Sequence, residues 1–420
     1  MKHLFKKALT NRFFHGGMFL MGANFVVGFL NYLFNILIAR SFGPSEFGDI
    51  TAFYSYVIIL TIPGGIITNL MIIKLGAKKD PVEYTYSIIH WLQEKSKNWW
   101  YFVTPFLLII PFIPQITKLS PEVGYILIPF VILTYIASMY DGLLQGLHLF
   151  VWTAWISICY AIVRLLGSVI PLVGFHYLII VVIFIILSTF VRIIWSHILI
   201  TNIFKKRNIQ LKKINKRLFE IWKDKQIWLT AVSGGSLVLL SNIDIIYVKQ
   251  MFSPEDAGIY NSWNLFAKVI LYILGPILSL SFIFFSSKKE ELYHQLLFIG
   301  ITLFLGFAGF MALLAYGLYG RLIIDMLFGE RFYPVIPFLE WASFFGTGFV
   351  MVMFMNNYFL AKGSKKAYVL ACSLPFYVGS LLIWGTDLGN VMLINIWFVF
   401  AVLTIYLLLF FKSKLLSLFQ

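Results

Sequence analysis

The stretch FGPSEFG, from Phe42 to Gly48, has a counterpart in FSPEDAG, from Phe252 to Gly258. Phenylalanine, proline, an acidic residue and glycine occupy matching places, half of the 420-residue chain apart. Proline and glycine favour a tight turn, and acidic residues stabilise the N-terminus of the helix that follows. A matching turn at the same point of each half indicates that the chain contains two similar halves.

Apolar residues dominate the composition around these turns. Hydrophobic residues make up 60% of the chain and charged residues only 12%, whereas soluble domains carry roughly 25% charged residues. A water-soluble core cannot bury so much apolar surface, so the composition predicts a polytopic membrane protein. The first apolar run, residues 18–39, is too long for the hydrophobic region of a cleavable signal peptide. Both cysteines, Cys159 and Cys372, lie in apolar runs and do not indicate a disulfide framework.

Twelve apolar runs are long enough to cross a bilayer as helices, which takes about 20 residues. They cover residues 17–40, 48–74, 99–118, 124–147, 151–173, 177–202, 227–250, 258–285, 294–318, 334–361, 366–385 and 390–411. Six spans in each half return the chain to the same side, which predicts two parallel six-helix bundles related by a pseudo-two-fold axis along the membrane normal. We therefore expect an all-α protein with an N-lobe at 1–202, a basic cytoplasmic linker at 203–226 and a C-lobe at 227–420.

The positive charges lie mainly on one side of the predicted spans. Most of the 33 Lys and Arg residues share the side of the N-terminus, and cytoplasmic segments carry such an excess. Both termini are therefore expected in the cytoplasm, and the net charge of +15 reflects topology, not nucleic-acid binding. The linker places apolar residues at helical spacing among its lysines, which is typical of an amphipathic helix on an anionic membrane surface. It could alternatively dock a cytoplasmic assembly enzyme.

Three longer stretches resemble a known family. They are IARSFGPSEFGDITAFYS (38–55), SNIDIIYVKQMFSPEDAGIYNSW (241–263) and RLIIDMLFGERFYPVIPFLEWASF (321–344). They resemble polysaccharide exporters of the multidrug/oligosaccharidyl-lipid/polysaccharide (MOP) superfamily, whose twelve-helix members are the O-antigen flippases of the Wzx type.

The resemblance implies a MATE-like fold and a flippase for undecaprenyl-diphosphate-linked oligosaccharide, such as the repeat unit of O-antigen in lipopolysaccharide. Such a protein works in the bacterial inner membrane by alternating access. A MATE-like ion-coupled antiporter of drugs or other small molecules is the alternative. An antiporter of that kind would have a cavity dominated by acids and aromatic residues.

Three cations lie near the middle of predicted spans: Arg164, Arg192 and Lys268. A charge at a helix centre costs about 2.5–3.5 kcal/mol on insertion scales, so it usually has a function or a partner. Arginine and lysine both bind phosphate, and we expect these three to line a cavity that binds the pyrophosphate or an acidic sugar. The structural alternative is that each pairs with a buried acid or reaches the interface, with Asp141 as a partner for Arg192.

Amides and acids also interrupt the spans. Asn24, Asn31 and Asn35 form a stripe in the first span, and Asn261 and Asn264 share a helix face with Lys268. These amides could bind sugar hydroxyls, or could hold helices together at about 0.6 kcal/mol each. The acids Asp244, Asp141 and Glu340 could carry a proton or bind a sodium ion that drives transport, with Asp244 foremost, or could neutralise the cations.

Motifs of catalysis are missing from the sequence. It contains no G-x-x-x-x-G-K-[ST] phosphate loop and no H-E-x-x-H, and its seven histidines lack a metal-ligand spacing. We expect no bound metal, no cofactor and no enzymatic activity. A membrane-bound polymerase or glycosyltransferase would need a sizeable catalytic loop, which the short connections do not provide.

Overall fold

The computed structural model describes residues 12–76, 81–96, 100–175, 177–207, 225–285 and 291–418. In these residues all regular secondary structure is helical, which confirms the all-α prediction. Helices form because the apolar runs have no water to satisfy their backbone groups in a bilayer, and a helix satisfies them internally.

The helices follow the predicted spans closely in both halves. In the first half they are α1 (Arg12–Phe42), α2 (Pro44–Leu60), α3 (Ile62–Gly76), α4 (Pro81–Ser96), α5 (Trp100–Ile109), α6 (Ile113–Thr117), α7 (Pro121–Gly124), α8 (Leu127–Gly146), α9 (Phe150–Val169) and α10 (Leu178–Arg207). In the second half they are α11 (Lys225–Leu240), α12 (Ile243–Met251), α13 (Pro254–Phe285), α14 (Glu291–Leu327), α15 (Leu339–Ala361), α16 (Val369–Trp384) and α17 (Leu388–Leu418). Short 3-10 segments precede α15 and α16 at Glu330–Phe338 and Lys365–Tyr368.

Ten helical segments of the described chain are long and apolar enough to cross a membrane. Helices α2 and α3 together are long and apolar enough for an eleventh span, and a bend of 51° separates them between Leu60 and Ile62. The predicted third span corresponds to the shorter apolar stretch Thr104–Thr117. The chain is therefore a multi-pass membrane protein whose spans agree with the predicted order.

Two compact units make up the chain. The first comprises Met1–Ser41 and Tyr56–Asp224, and the second comprises Phe42–Ser55 and Lys225–Gln420. The second unit thus takes in the N-terminal part of α2, which the sequence analysis placed in the N-lobe. The greater part of the predicted linker, residues 208–224, lies outside the described residues.

Close helix packing in the first unit depends on glycines of α8. A Cβ atom at Gly142 would lie 2.9 Å from the Cβ of Met71, and one at Gly146 would lie 2.8 Å from the Cβ of Leu75. Both neighbours belong to α3, so the two glycines let α3 and α8 approach each other. Leu75 is fully buried at this contact.

Helix α13 forms the centre of the second unit and packs most extensively on α15. A Cβ atom at Gly346 would lie 2.4 Å from the carbonyl oxygen of Ala267, so this glycine allows the close contact of α13 with α15. Nearby, the buried ring of Trp263 stacks on Phe345 with centroids 5.4 Å apart. The Trp263 indole nitrogen donates a hydrogen bond to the Phe338 carbonyl oxygen at 2.9 Å.

The two repeated turns meet within the second unit. Each turn starts a helix with proline at its first position, α2 at Pro44 and α13 at Pro254, a position that suits proline because its missing N–H is not needed there. A Cβ atom at Gly258 would lie 1.8 Å from the Pro44 carbonyl oxygen. A Cβ atom at Gly48 would lie 3.2 Å from the Pro254 carbonyl oxygen. The matching glycines therefore allow the matching helices to contact each other through their backbones.

Candidate functional site

Lys268 lies half-buried on α13 beside a small, largely apolar cleft of the second unit. The cleft is lined by Ser241, Ala267, Lys268, Phe345, Gly346 and Phe349. The close approach of α13 and α15 at Gly346 brings the phenylalanine rings of α15 to the same cleft as the lysine. An ammonium group in such surroundings attracts anions more strongly than one in water does.

A buried polar network surrounds Asp244, in the first turn of α12. Its Oδ2 atom accepts hydrogen bonds from the Tyr260 hydroxyl, from Asn264 Nδ2 at 2.8 Å and from Asn395 Nδ2 at 3.4 Å. The Tyr377 hydroxyl donates to Asn395 Oδ1, which extends the network to α16. None of the five side chains is more than 1% exposed. The network therefore fixes a carboxylate deep inside the unit.

Three oxygens at or near this network lack a side-chain hydrogen-bond donor among the described residues, and the backbone N–H groups of Asp244 and Ile245 lie close to the Asp244 carboxylate. The three oxygens are Asp244 Oδ1, Asn264 Oδ1 and Asn261 Oδ1, and all three are buried. A buried acceptor without a donor is costly, and a proton on Asp244 or a small cation would satisfy oxygens of this kind. The arrangement can therefore take up positive charge.

The network and the cleft are coupled electrostatically through Asp244 and Lys268. Asn264 and Lys268 are four residues apart on α13, so they lie on one face of the helix. Asp244 and Lys268 are close enough for an electrostatic attraction between carboxylate and ammonium. Neutralising Asp244 would weaken this attraction and leave the Lys268 charge more available to an anion.

Arg192 pairs with Asp141 in the first unit. Arg192 Nε donates to Asp141 Oδ1 at 3.1 Å, and Nη2 contacts Asp141 Oδ2. The guanidinium also lies 5.4 Å from the ring centroid of Tyr160. The structure thus has the ion pair that the sequence left open as the alternative to substrate binding.

Arg164 of α9 is buried, with 7% of its surface exposed. Its guanidinium lies 4.2 Å from the centroid of the fully buried Phe34 ring of α1. A cation over an aromatic face is attracted by the ring quadrupole, and this attraction is strongest where water is excluded.

The amides of α1 differ in how far they are exposed. Asn24 is exposed, whereas Asn31 and Asn35 are half-buried. Asn35 Nδ2 donates to the Asn31 backbone oxygen at 2.9 Å within the helix. In α13, Asn261 donates to the Gly48 backbone oxygen at 3.3 Å. The acid Glu340 is exposed in the first turn of α15.

Three side chains of the network, Tyr260, Tyr377 and Asn395, were not predicted from the sequence. Tyr260 had a signal, since it lies four residues before Asn264 on the same helix face. Asn395 had a weaker signal, because it is an amide within the last apolar run. Nothing in the sequence pairs Asn395 with Asp244, from which it is separated by 151 positions. Among the described residues, no group of three or more His, Cys, Asp or Glu could hold a metal ion.

The fold is that of known membrane transporters. An inward-facing multidrug resistance MATE family transporter of the MOP superfamily matches with a TM-score of 0.71 at 12% identity, over 92% of this chain and 94% of the other. An outward-facing MATE transporter matches with a TM-score of 0.64 at 13% identity over 98% of both chains. The eukaryotic MATE transporter AtDTX14 matches with a TM-score of 0.61 at 15% identity over 96% of both chains.

Sequence comparison adds the family. No curated protein matches the chain. Residues 13–288 match the family model described as "Polysaccharide biosynthesis protein", and because this match covers more than half of the chain, the chain belongs to that family.

Proposed function

We propose that the chain is a flippase that moves undecaprenyl-diphosphate-linked oligosaccharide, such as an O-antigen repeat unit, across the bacterial inner membrane. The observation that carries the proposal is Lys268, a half-buried cation at an apolar cleft within a MATE-like fold of the polysaccharide biosynthesis family. A pyrophosphate moving through a medium of low dielectric constant needs fixed positive charge to offset its lost hydration. Lys268 supplies that charge, with Arg164 as the second phosphate-binding candidate.

Transport follows alternating access between the lobes 1–202 and 227–420, joined by the basic linker 203–226 with both termini in the cytoplasm. Sugar hydroxyls bind the amides of α1, with Asn24, Asn31 and Asn35 as the first candidates. In this proposal the chain transports its substrate without catalysis, and partners that assemble or extend the polysaccharide act before and after it.

Asp244 is the coupling carboxylate in this proposal. Asp141 is held by Arg192 and Glu340 is exposed, whereas Asp244 is buried and its Oδ1 has no side-chain donor. A proton or sodium ion bound there neutralises the carboxylate and weakens its attraction for Lys268. The Lys268 charge is then available to the pyrophosphate. The ion thereby favours substrate binding on one side of the membrane.

The substrate is tested by substituting the cations in a bacterial strain whose own copy of the gene is deleted. Lys268→Ala and Arg164→Ala should insert normally, lose at least tenfold of the surface polysaccharide and accumulate lipid-linked units inside the cell. Lys268→Arg keeps the charge and should retain much of the export. If Lys268→Ala and Arg164→Ala each export surface polysaccharide at the normal level, the proposed phosphate site is wrong.

Ion coupling is tested on purified protein by thermal denaturation in NaCl, in choline chloride and across a pH series. Binding of sodium raises the denaturation temperature in NaCl alone, and Asp244→Asn should abolish that increase. A proton site instead gives a pH dependence that Asp244→Asn removes. Asn390→Ala, at a half-buried amide of the same helix as Asn395, is the matched control and should leave both responses unchanged. If Asp244→Asn responds like the unsubstituted protein, the coupling role is wrong.

A further inference from the structure

Lys362 lies at the end of α15, where its ammonium group is held by a buried histidine of α14. Lys362 Nζ donates a hydrogen bond to His294 Nδ1 at 2.9 Å. An ammonium group only donates hydrogen bonds, so His294 accepts through Nδ1 and is a neutral imidazole. Lys362 is exposed, whereas only 5% of the His294 surface is exposed. A buried side chain therefore fixes the position of an exposed cation.

Aromatic rings surround His294. Its ring lies 6.1 Å from the Phe285 ring and 6.2 Å from the Tyr293 ring, measured between centroids. The tautomer that accepts from Lys362 carries its proton on Nε2, and this atom is buried without a hydrogen-bond acceptor among the described residues. A buried donor without an acceptor is costly, and a phenylalanine would fill the same space without that cost. The distinct contribution of a histidine here is therefore its hydrogen bond to Lys362.

The turn after α15 adds a second exposed lysine, Lys365. The Ser364 hydroxyl accepts a hydrogen bond from the Lys366 backbone N–H at 3.3 Å, and Lys366 Nζ donates to the Leu409 carbonyl oxygen of α17 at 3.0 Å. These two bonds fix the turn and attach it to α17. Among the described residues, no acid forms an ion pair with Lys362 or Lys365. The turn therefore presents two lysines whose charges are not compensated within that part of the chain.

The same turn lies where two membrane spans meet the headgroup region. The span Glu330–Ala361 ends directly before Lys362, and the next span begins at Lys365. Side chains at the ends of spans lie at the level of the lipid headgroups. From this level an exposed apolar stripe runs along α14 at helical spacing, formed by Tyr293, Leu296, Leu303 and Phe307. Cations at headgroup level beside an apolar stripe match the two parts of a phospholipid.

We propose that Lys362 and Lys365 bind the phosphate of an anionic phospholipid, and that His294 is the positioning residue that directs Lys362 toward it. The bond to His294 leaves Lys362 two N–H donors for phosphate oxygens, and basic pockets between spans bind anionic headgroups. An ammonium group that is already held in place loses less freedom on binding than a mobile one.

This site is separate from the cleft at Lys268. Thirteen positions of sequence, roughly 20 Å of helix, separate Lys362 from Phe349 of that cleft. The lipid site therefore does not depend on what the chain transports.

The site is tested by thermal denaturation of the purified full-length protein in an uncharged detergent with increasing phosphatidylglycerol. Phosphatidylcholine with the same acyl chains controls for apolar contact, and glycerol 3-phosphate controls for free phosphate. The variants are Lys362→Gln, Lys362→Arg, His294→Phe and His294→Asn. Lys205→Gln is the matched control, because Lys205 is an exposed lysine at the end of another span, Leu178–Lys205.

Phosphatidylglycerol should raise the denaturation temperature, whereas phosphatidylcholine and glycerol 3-phosphate should not. We expect Lys362→Gln and His294→Phe to need about fivefold more phosphatidylglycerol for half of the increase, which corresponds to the roughly 1 kcal/mol that one lysine contributes near an anionic surface. Lys362→Arg keeps the charge and His294→Asn keeps an acceptor near the place of Nδ1, so both should respond much as the unsubstituted protein does.

An equal increase with phosphatidylcholine, or with glycerol 3-phosphate alone, would overturn the phospholipid site. So would an equal requirement of Lys362→Gln and Lys205→Gln for phosphatidylglycerol, because the lysine would then attract lipid no more than any other at a span end. A normal requirement of His294→Phe would overturn the positioning role. If Lys362→Gln cannot be purified, Lys365→Gln takes its place and is judged by the same outcomes.

Discussion

The charge of Arg192 is compensated by Asp141, so its first contribution is to the stability of the first unit. We expect Arg192→Ala to lower the free energy of unfolding by about 3–5 kcal/mol, because it leaves a buried carboxylate without its partner. Replacing both residues by leucine should restore most of the lost stability, since an apolar pair of similar size often substitutes for a buried ion pair. Thermal denaturation in detergent would measure both effects.

The double variant also separates structure from transport at Arg192. If the pair is structural, the variant with two leucines should still export surface polysaccharide. A double variant that is stable and inserted but exports nothing would assign Arg192 to the substrate, as the position of this cation in its span suggested. Equal instability of the single and double variants would contradict the pairing.

At the scale of elements, the contact of α2 with α13 depends on glycine at one position more than at any other along the pair. A Cβ at Gly258 would lie 1.8 Å from the Pro44 oxygen, a distance at which the backbones must separate. Gly275 lies on the same helix, and a Cβ there would meet nothing within 4 Å. We expect Gly258→Ala to destabilise the protein by about 3 kcal/mol, the upper end of typical overpacking costs.

Gly275→Ala is the matched control and should change the denaturation temperature little, since it adds the same methyl group to the same helix. Gly48→Ala should fall between the two, because its Cβ would lie 3.0 Å from the Gly258 nitrogen. Equal denaturation temperatures for Gly258→Ala and Gly275→Ala would show that the helices do not meet at the repeated turns.

The sequence revealed the helices because span length and apolarity are local properties. It also indicated that Asn264 and Lys268 share a face, because helical periodicity is local too. Partners across the chain were not accessible in the same way. Asp244 with Asn395, and Asp49 with Lys249, combine residues whose distance in sequence carries no information about packing. For the same reason residues 42–55 were assigned to the lobe that contains the rest of α2.

At the scale of the whole molecule, the second unit is built from two separate pieces of chain. Residues 225–420 lack residues 42–55, which supply Asp49 to the buried Lys249 and Phe47 to the rings of Phe328 and Phe332. A fragment of residues 225–420 expressed alone would therefore contain a buried lysine without its carboxylate and a groove without its aromatic side chain. Both defects are costly, since a buried charge needs a partner and a missing large side chain leaves a cavity.

We expect this fragment to accumulate poorly alone and to recover when residues 1–224 are expressed with it, because the second fragment supplies residues 42–55. Lys249→Met should raise the level of the lone fragment by removing the uncompensated charge, and should lower that of the full-length chain by leaving Asp49 unpaired with lysine. Lys225→Met, at an exposed lysine of the same unit, is the matched control and should change neither. Membrane levels and resistance to protease would be compared for all of these. Equal levels of the lone fragment with and without the Lys249→Met substitution would mean that the ion pair with Asp49 is not what makes this buried lysine tolerable.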